Sequence, residues 1–369
     1  MTIALLHAYR AANRGDARLV DLSRRLVREA TGTEPLILAL DPQGLGPGAR
    51  SVLSSPARLR AGGAAVLSGN AVTARLGRSL LDLPRPCDLS AAIGIGGGYL
   101  RATTPTTELA VRGHHLPQLR LVATMGRRGA YLPLSVGPFR RGLGRTVRRL
   151  LAAPAWVATR DDRSTRYLAG WANTWRLPDL AACRLGVDRP RHRPGDADII
   201  GVILRYLPGS DLGFAAVSML ENRGFKARFG VQSTAGPSDD DRPFYRARGV
   251  LDGAEDVGLL LDDVEHRPSV IMAGRLHAAL DAIAAGIPTV HLGYGRKSVG
   301  TFDDLGLGDW VFDAWTAHPA HVADAVEALA ADPGPYWDRL SGRFDHLAAS
   351  WDRLGASIEA LAALPGRRR

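Results

Sequence analysis

Ser269–Lys297, SVIMAGRLHAALDAIAAGIPTVHLGYGRK, decides how this chain is read. An apolar run from Ser269 to Met272 ends at Gly274, and Arg275-Leu276-His277 open a segment of small residues with helical spacing. A second apolar run, Thr289–Leu292, follows, and a loop then carries Arg296 and Lys297. Strand, helix and strand in that order form a βα unit of a parallel sheet. Arg275 and His277 stand at the helix start, where free amides and the helix dipole favour a phosphate or carboxylate. The next strand end brings Lys297 to the same edge. A lone histidine at a helix start is more often structural than catalytic; Arg, His and Lys converging on one edge beside a helix start bring the two readings level.

The same alternation extends in both directions. On the N-terminal side, Thr2–Tyr9, Pro35–Leu40, Ser90–Ile93, Tyr131–Val136 and Ala155–Thr159 read as strands, with helices near Asp16–Ala30 and Glu108–Met125. Arg184–Ala197, rich in Pro, Arg and Gly, reads as a linker. Beyond it Ile199–Leu204 and Phe225–Gln232 restart the pattern, and Pro319–Leu364 is helical with a break at Pro333-Gly334-Pro335. The expectation is an α/β chain of two Rossmann-like domains facing a cleft. Residues 1–183 form the acceptor-side domain, 184–197 the linker and 198–345 the donor-side domain. Residues 346–369 form a C-terminal helix that crosses back and a basic tail. In such sheets ligands bind beyond the C-terminal ends of the strands.

Three further clusters follow strands. Asn13-Arg14-Gly15-Asp16 is either an ordinary loop with Asp16 capping the next helix or an anion site at a helix start. Gly94-Ile95-Gly96-Gly97-Gly98 lets a ligand approach the backbone, but it lacks the third glycine of a dinucleotide fingerprint and the Gly-Lys-Ser/Thr of a P-loop. Arg160-Asp161-Asp162-Arg163-Ser164 reads equally as a guanidinium at a strand end and as a surface cap. Asp239-Asp240-Asp241 and Asp262-Asp263 read as solvated turns and caps rather than a metal site. His114-His115 are neighbours on a helix and cannot share a metal face as an i, i+4 pair would. The basic clusters at Arg127-Arg128 and Arg140–Arg149 suit a membrane or polymer surface, or plain solvated helix faces.

Composition sets the bounds. At 369 residues and 46% apolar the chain is long enough for two domains with their own cores. No run reaches the ~18–20 apolar residues of a membrane helix, and Met1–Tyr9 lacks the basic lead of a signal peptide, so a cytoplasmic location is expected. Two distant cysteines, Cys87 and Cys183, argue against a disulfide framework. The net charge of +10 is carried by arginine, with Lys226 and Lys297 the only lysines. A basic surface favours anionic partners, and a lysine in an arginine-rich chain draws attention to its loop.

Taken in order, several segments resemble the polysaccharide pyruvyl transferase family. They are Asn-x-Gly-Asp at 13–16, Gly96-Gly97-Gly98, Ser135-Val136-Gly137-Pro138, Arg160-Asp161-x-x-Ser164, Pro178-Asp179, Arg205, Arg275-Leu276-His277-Ala278, and Gly286-Ile287-Pro288 followed by Lys297. The resemblance implies a GT-B-like fold and an enzyme that moves pyruvate from phosphoenolpyruvate onto two hydroxyls of a hexose in a cell-surface glycan or its precursor, releasing phosphate. By similarity Arg275, Leu276, His277, Lys297, Arg205 and Arg160 bind the donor, and His277 is the acid that protonates its methylene carbon. Asn13, Gly15, Asp16 and Gly96–Gly98 line the acceptor side. Phosphoenolpyruvate is then a co-substrate, with no resident cofactor and no metal. The acceptor is a sugar or lipid-linked glycan, nucleic acid is not a partner, and the basic clusters admit contact with the inner face of a membrane. Leu134 stands where family members often carry Gln. Two other readings compete: a nucleotide-sugar-dependent glycosyltransferase on the same fold, and a non-catalytic basic binding protein.

Overall fold

The computed structural model describes residues 2–53, 81–140, 142–235 and 239–365, and of Arg296 and Lys297 the backbone alone. The chain divides into two compact units. The first comprises residues 1–11, 19–180 and 350–369; the second comprises residues 12–18 and 181–349.

Among the described residues the first unit holds an eight-stranded sheet. Its strands are β1 (Ile3–Ala8), β2 (Leu36–Ala39), β3 (Ala49–Ser51), β4 (Ala91–Gly94), β5 (Gly97–Ala102), β6 (Gly129–Phe139), β7 (Trp156–Thr159) and β8 (Thr174–Arg176). The order is β3-β2-β1-β4-β6-β7-β8, with β5 also on β6, and every pairing is parallel. Helices cover such a sheet on both faces, so its strands need continuous apolar runs. All six residues of β1 are buried, as are all four of β4 and β7. Each fully buried Leu or Ile contributes about 1.5–3 kcal/mol.

The second unit repeats the plan with six strands: β9 (Asp196–Ile203), β10 (Lys226–Val231), β11 (Ala254–Asp256), β12 (Pro268–Ala273), β13 (Thr289–Gly293) and β14 (Val311–Asp313). The order β11-β10-β9-β12-β13-β14, all parallel, is the 3-2-1-4-5-6 of a doubly wound nucleotide-binding sheet. The strand order reverses between β9 and β12, and there the ends of both strands leave a crevice free of crossing connections.

The long apolar runs fall within three residues of their expected places. The short strands β3, β8, β11 and β14, three residues each, and β5 escaped the sequence reading because such pieces carry too little pattern. The linker differs as well. Helix Leu180–Asp188 runs through its first half, with Ala182 and Cys183 fully buried, and only the Pro/Arg-rich remainder before β9 is irregular. The unit boundary falls at Leu180/Ala181. The C-terminal helix Phe344–Ala362 does cross back: from Ser350 it belongs to the first unit, where Trp351 donates to Glu29 (3.1 Å) and Arg353 lies over Trp175 (4.3 Å). Residues 366–369 of the basic tail lie outside the described residues. No helix among the described residues is long and apolar enough to cross a membrane.

Candidate functional site

Four strand ends of the second unit meet at the β9/β12 switch point. Beyond β9 stands Arg205. Beyond β10 come Ser233 and Asp239–Asp241, beyond β12 come Gly274 and Arg275, and beyond β13 comes Tyr294. Tyr245 fixes the β9 end: its hydroxyl accepts from Leu204 N–H (2.8 Å) and donates toward the carbonyls of Gly230 (3.0 Å) and Val202 (3.3 Å). Gly274 N–H donates to Ile203 O at 2.8 Å, tying β12 to the same point.

Arg275 opens the helix Leu276–Ala284 and is itself buried, 7% exposed. Its guanidinium donates to both oxygens of Asp241 (2.5–3.1 Å), to Asp239 Oδ1 (3.0 Å) and to the Asp239 carbonyl (3.1 Å). Burial works against its charge, but Asp241 and Asp239 outweigh burial and hold its pKa above the usual arginine value. Burial pushes Asp241 up, and Arg275 opposes that. The Asp239-Asp240-Asp241 run is therefore not a set of solvated turns. Asp241 is 1% exposed and neutralises an internal guanidinium. Sequence alone cannot see this, because the partner lies 34 residues away.

Arg205 is less committed. Its Nη1 donates to Tyr294 Oη (3.0 Å) and its Nη2 lies 3.7 Å from Asp239, while its buried Nε–H has no partner among the described residues. It borders an open cavity of about 600 Å³ lined by Tyr206, Asp240, Phe244, Arg248 and Arg275. Tyr206 is 63% exposed and meets Phe244 edge-on, centroids 6.0 Å apart; Arg248 stacks over Phe214 (5.0 Å).

The loop after β1 also belongs here. Residues 12–18 group with the second unit, contrary to the expectation that Asn13, Gly15 and Asp16 line the other domain's acceptor side. Asn13 and Ser233 form an antiparallel bridge, and Asn13 Nδ2 donates to Asp239 (2.7 Å). Asn13 Oδ1 accepts from the amides of Gly15 (3.0 Å) and Asp16 (3.3 Å), so Asn13, not Asp16, caps the helix Arg14–Thr31. Arg14 pairs with Asp256 (3.2 Å) and Arg18 with Asp281 (3.6 Å). Burial pushes the Asp281 carboxyl up to about 6, with Arg18 and Arg14 opposing. Gly15 packs directly on His277. Leu276 is core.

Two expected site groups sit elsewhere. Arg160 belongs to the first unit, 1% exposed, paired with Asp179 (2.5 Å) and donating to Ser135 (3.1 Å). The glycine run makes room for protein atoms. A Cβ on Gly94 would overlap the Tyr131 ring, one on Gly96 would stand 2.6 Å from Pro133 O, one on Gly97 3.1 Å from Tyr99, and one on Gly98 3.1 Å from Arg160. Lys297 lies in the first turn of helix Arg296–Asp304, and its side chain is outside the described residues. The second unit thus assembles Arg205, Arg275, His277 and the Asn13–Asp16 turn.

No protein-family model matches the chain, and no curated protein matches it. Solved structures do. A glycosyltransferase from Rickettsia africae ESF-5 superposes with a TM-score of 0.50 at 10% identity, covering 98% of this chain and 95% of that one. An α,α-trehalose 6-phosphate synthase from Burkholderia multivorans gives 0.48 at 13%, covering 100% and 99%. The first of these is a glycosyltransferase and not a pyruvyl transferase, which overturns the expectation of phosphoenolpyruvate-dependent ketal formation. The side chains agree with that correction, since Arg275 and Arg160, two of the expected donor cations, already hold buried carboxylates. The chain has the GT-B fold of glycosyltransferases, two parallel Rossmann-like sheets.

Proposed function

We propose that the protein transfers a sugar from a nucleoside-diphosphate sugar to a hydroxyl of an acceptor such as a sugar or lipid-linked glycan. The cavity beside Arg205 carries this reading. It pairs an aromatic wall, Tyr206 and Phe244, with the Nε–H of Arg205, which has no partner among the described residues, at the end of a switch-point strand. A base stacks on such a wall, and a diphosphate takes the guanidinium together with the amides at the start of the helix Leu276–Ala284. Those donors favour departure of the nucleoside diphosphate as the anomeric C–O bond breaks and the acceptor oxygen forms the new one. Arg275 takes a different part: its two aspartates make it the post that holds the β10 and β12 ends in register.

The test is thermal stabilisation by a panel of nucleoside diphosphates and their sugars, followed by assay of nucleoside diphosphate release. Binding that is weakened in Tyr206→Ala and Arg205→Met supports the reading. A protein stabilised by phosphoenolpyruvate and by no nucleotide would refute it.

A further inference from the structure

The first unit carries a charge asymmetry that the donor site does not use. Residues 109–160 contain ten arginines and no lysine, aspartate or glutamate. Of the chain's 47 basic residues the other 37 are matched by its 37 acidic ones, so this one segment supplies the whole net charge of +10. Three of the ten are committed within the protein. Arg160 pairs with Asp179, Arg128 is buried and donates to Leu89 O (2.9 Å), and Arg112 pairs with Glu108 (2.8 Å). Arg141 lies outside the described residues. Arg120, Arg127, Arg140, Arg145, Arg148 and Arg149 form no ion pair among the described residues.

Topology gathers these side chains. Strands β4, β6, β7 and β8 are successive neighbours in the sheet, and right-handed crossovers running in one direction put their helices on the same face. Helix Leu116–Met125 packs on β4 and β6, helix Leu143–Leu151 packs beside it and on β6, and helix Asp162–Leu168 packs on β6, β7 and β8. Each turns its apolar residues inward: Leu119, Val122 and Met125 in the first, Leu143, Val147 and Leu151 in the second, and Leu168 in the third are buried. The outer sides carry the charge. Arg145 and Arg149, one turn apart, are exposed, as are Arg127 at the end of the first helix and Arg163 and Arg166 on the third. Asp162, an exposed carboxylate beside them, is paired with Arg176 (2.9 Å). Arg148 joins the second helix to the third, its guanidinium lying over the rings of Tyr167 (4.9 Å) and Trp171 (4.8 Å). Trp171 stays 38% exposed next to it. Neighbouring helices lie ~8–10 Å apart, about one Debye length in physiological salt, so the fields of the outward guanidinium groups add.

We propose that this helix layer of the first unit docks the protein on an anionic phospholipid surface. The inference is independent of the glycosyl-transfer reading. A bilayer with acidic lipids presents a plane of phosphates, and helices laid side by side present a broad face of the opposite charge. Each guanidinium can hold a phosphate through two donors, while its aliphatic stem lies along apolar surface. The make-up of the face favours lipid over nucleic acid. Between the arginines it is short and apolar, with Ala152, Ala153, Ala169 and Gly170 exposed. Trp171 stands among them in the way tryptophans stand at headgroup level. Base recognition calls for a groove-filling element or open aromatic platforms, and Arg148 already covers one face of the Trp171 ring. Attachment of this kind is peripheral; it depends on charge and weakens as salt screens it.

The experiment is co-sedimentation of the full chain with phosphatidylcholine vesicles, with and without phosphatidylglycerol. Wild type should bind the acidic vesicles at about 0.15 M salt, leave the neutral ones alone, and detach as salt is raised. Each arginine lost should weaken binding about 5-fold, so Arg145→Gln combined with Arg149→Gln should weaken it about 25-fold. Arg191→Gln combined with Arg193→Gln removes the same charge from an exposed stretch of the second unit and should bind as wild type does. Wild type that ignores the acidic vesicles refutes the proposal without recourse to any variant, so a variant that fails to fold cannot shield it. Equal losses in the two double variants refute it as well, because net charge and not this face would then be responsible. An oligonucleotide bound at the same salt, with the vesicles left unbound, would overturn it in favour of a nucleic-acid surface.

Discussion

Gly15 and His277 are in direct contact: a Cβ at position 15 would stand 2.7 Å from the imidazole Nδ1 and 2.9 Å from the His277 Cβ. Hydrogen at that position lets the first turn of helix Arg14–Thr31 lie on the first turn of helix Leu276–Ala284. Gly15→Ala should force the ring aside and cost about 1–3 kcal/mol, with weaker nucleotide binding. Denaturant midpoints decide the matter, and a wild-type midpoint would show that the ring yields freely.

Asp281 makes the same packing pH-dependent. Folding raises the pKa of its carboxyl from the ordinary aspartate value of 3.8 to about 6, so stability falls as pH rises through that window. The shift corresponds to about 3 kcal/mol. Asp281→Asn should therefore be more stable than wild type at pH 8 and equal to it below about pH 4. Urea titrations at both pH values test the sign; a variant less stable at pH 8 would mean that the Arg18 ion pair outweighs desolvation.

Arg160 and Asp179, 1% and 0% exposed, form a buried pair whose halves depend on each other. Asp179→Ala leaves an uncompensated guanidinium and should cost about 3–5 kcal/mol. The double replacement Arg160→Met with Asp179→Leu should cost less than either single change. A double-mutant cycle without coupling would contradict this account.

Tyr245→Phe removes one oxygen and leaves the Leu204 amide unsatisfied inside the second unit. The expected loss is about 1–3 kcal/mol, together with weaker nucleotide binding through the displaced β9 end. Faster hydrogen exchange at Leu204 would confirm the cause, and unchanged protection there would refute it.

The βα alternation, the long strands and the helix opened by Arg275-Leu276-His277 were legible because they depend on local periodicity. An apolar run between turn residues is a strand whatever it later touches, and a helix start presents its amides wherever it is placed. Partnership was not legible. Arg275 and Arg160 read as ligand cations from their position after strands, but carboxylates from elsewhere in the chain, Asp239, Asp241 and Asp179, already hold them. The glycines at 94–98 read as an open cradle, yet Tyr131, Pro133, Tyr99 and Arg160 fill that space. His7 and His115 are 108 residues apart and carry no shared pattern, so only folding reveals that their Nδ1 atoms lie 3.1 Å apart. Sequence determined where donors and charges could stand. Tertiary structure decided which were already spent, because charge pairing and steric fit depend on distance in space, which separation along the chain does not encode.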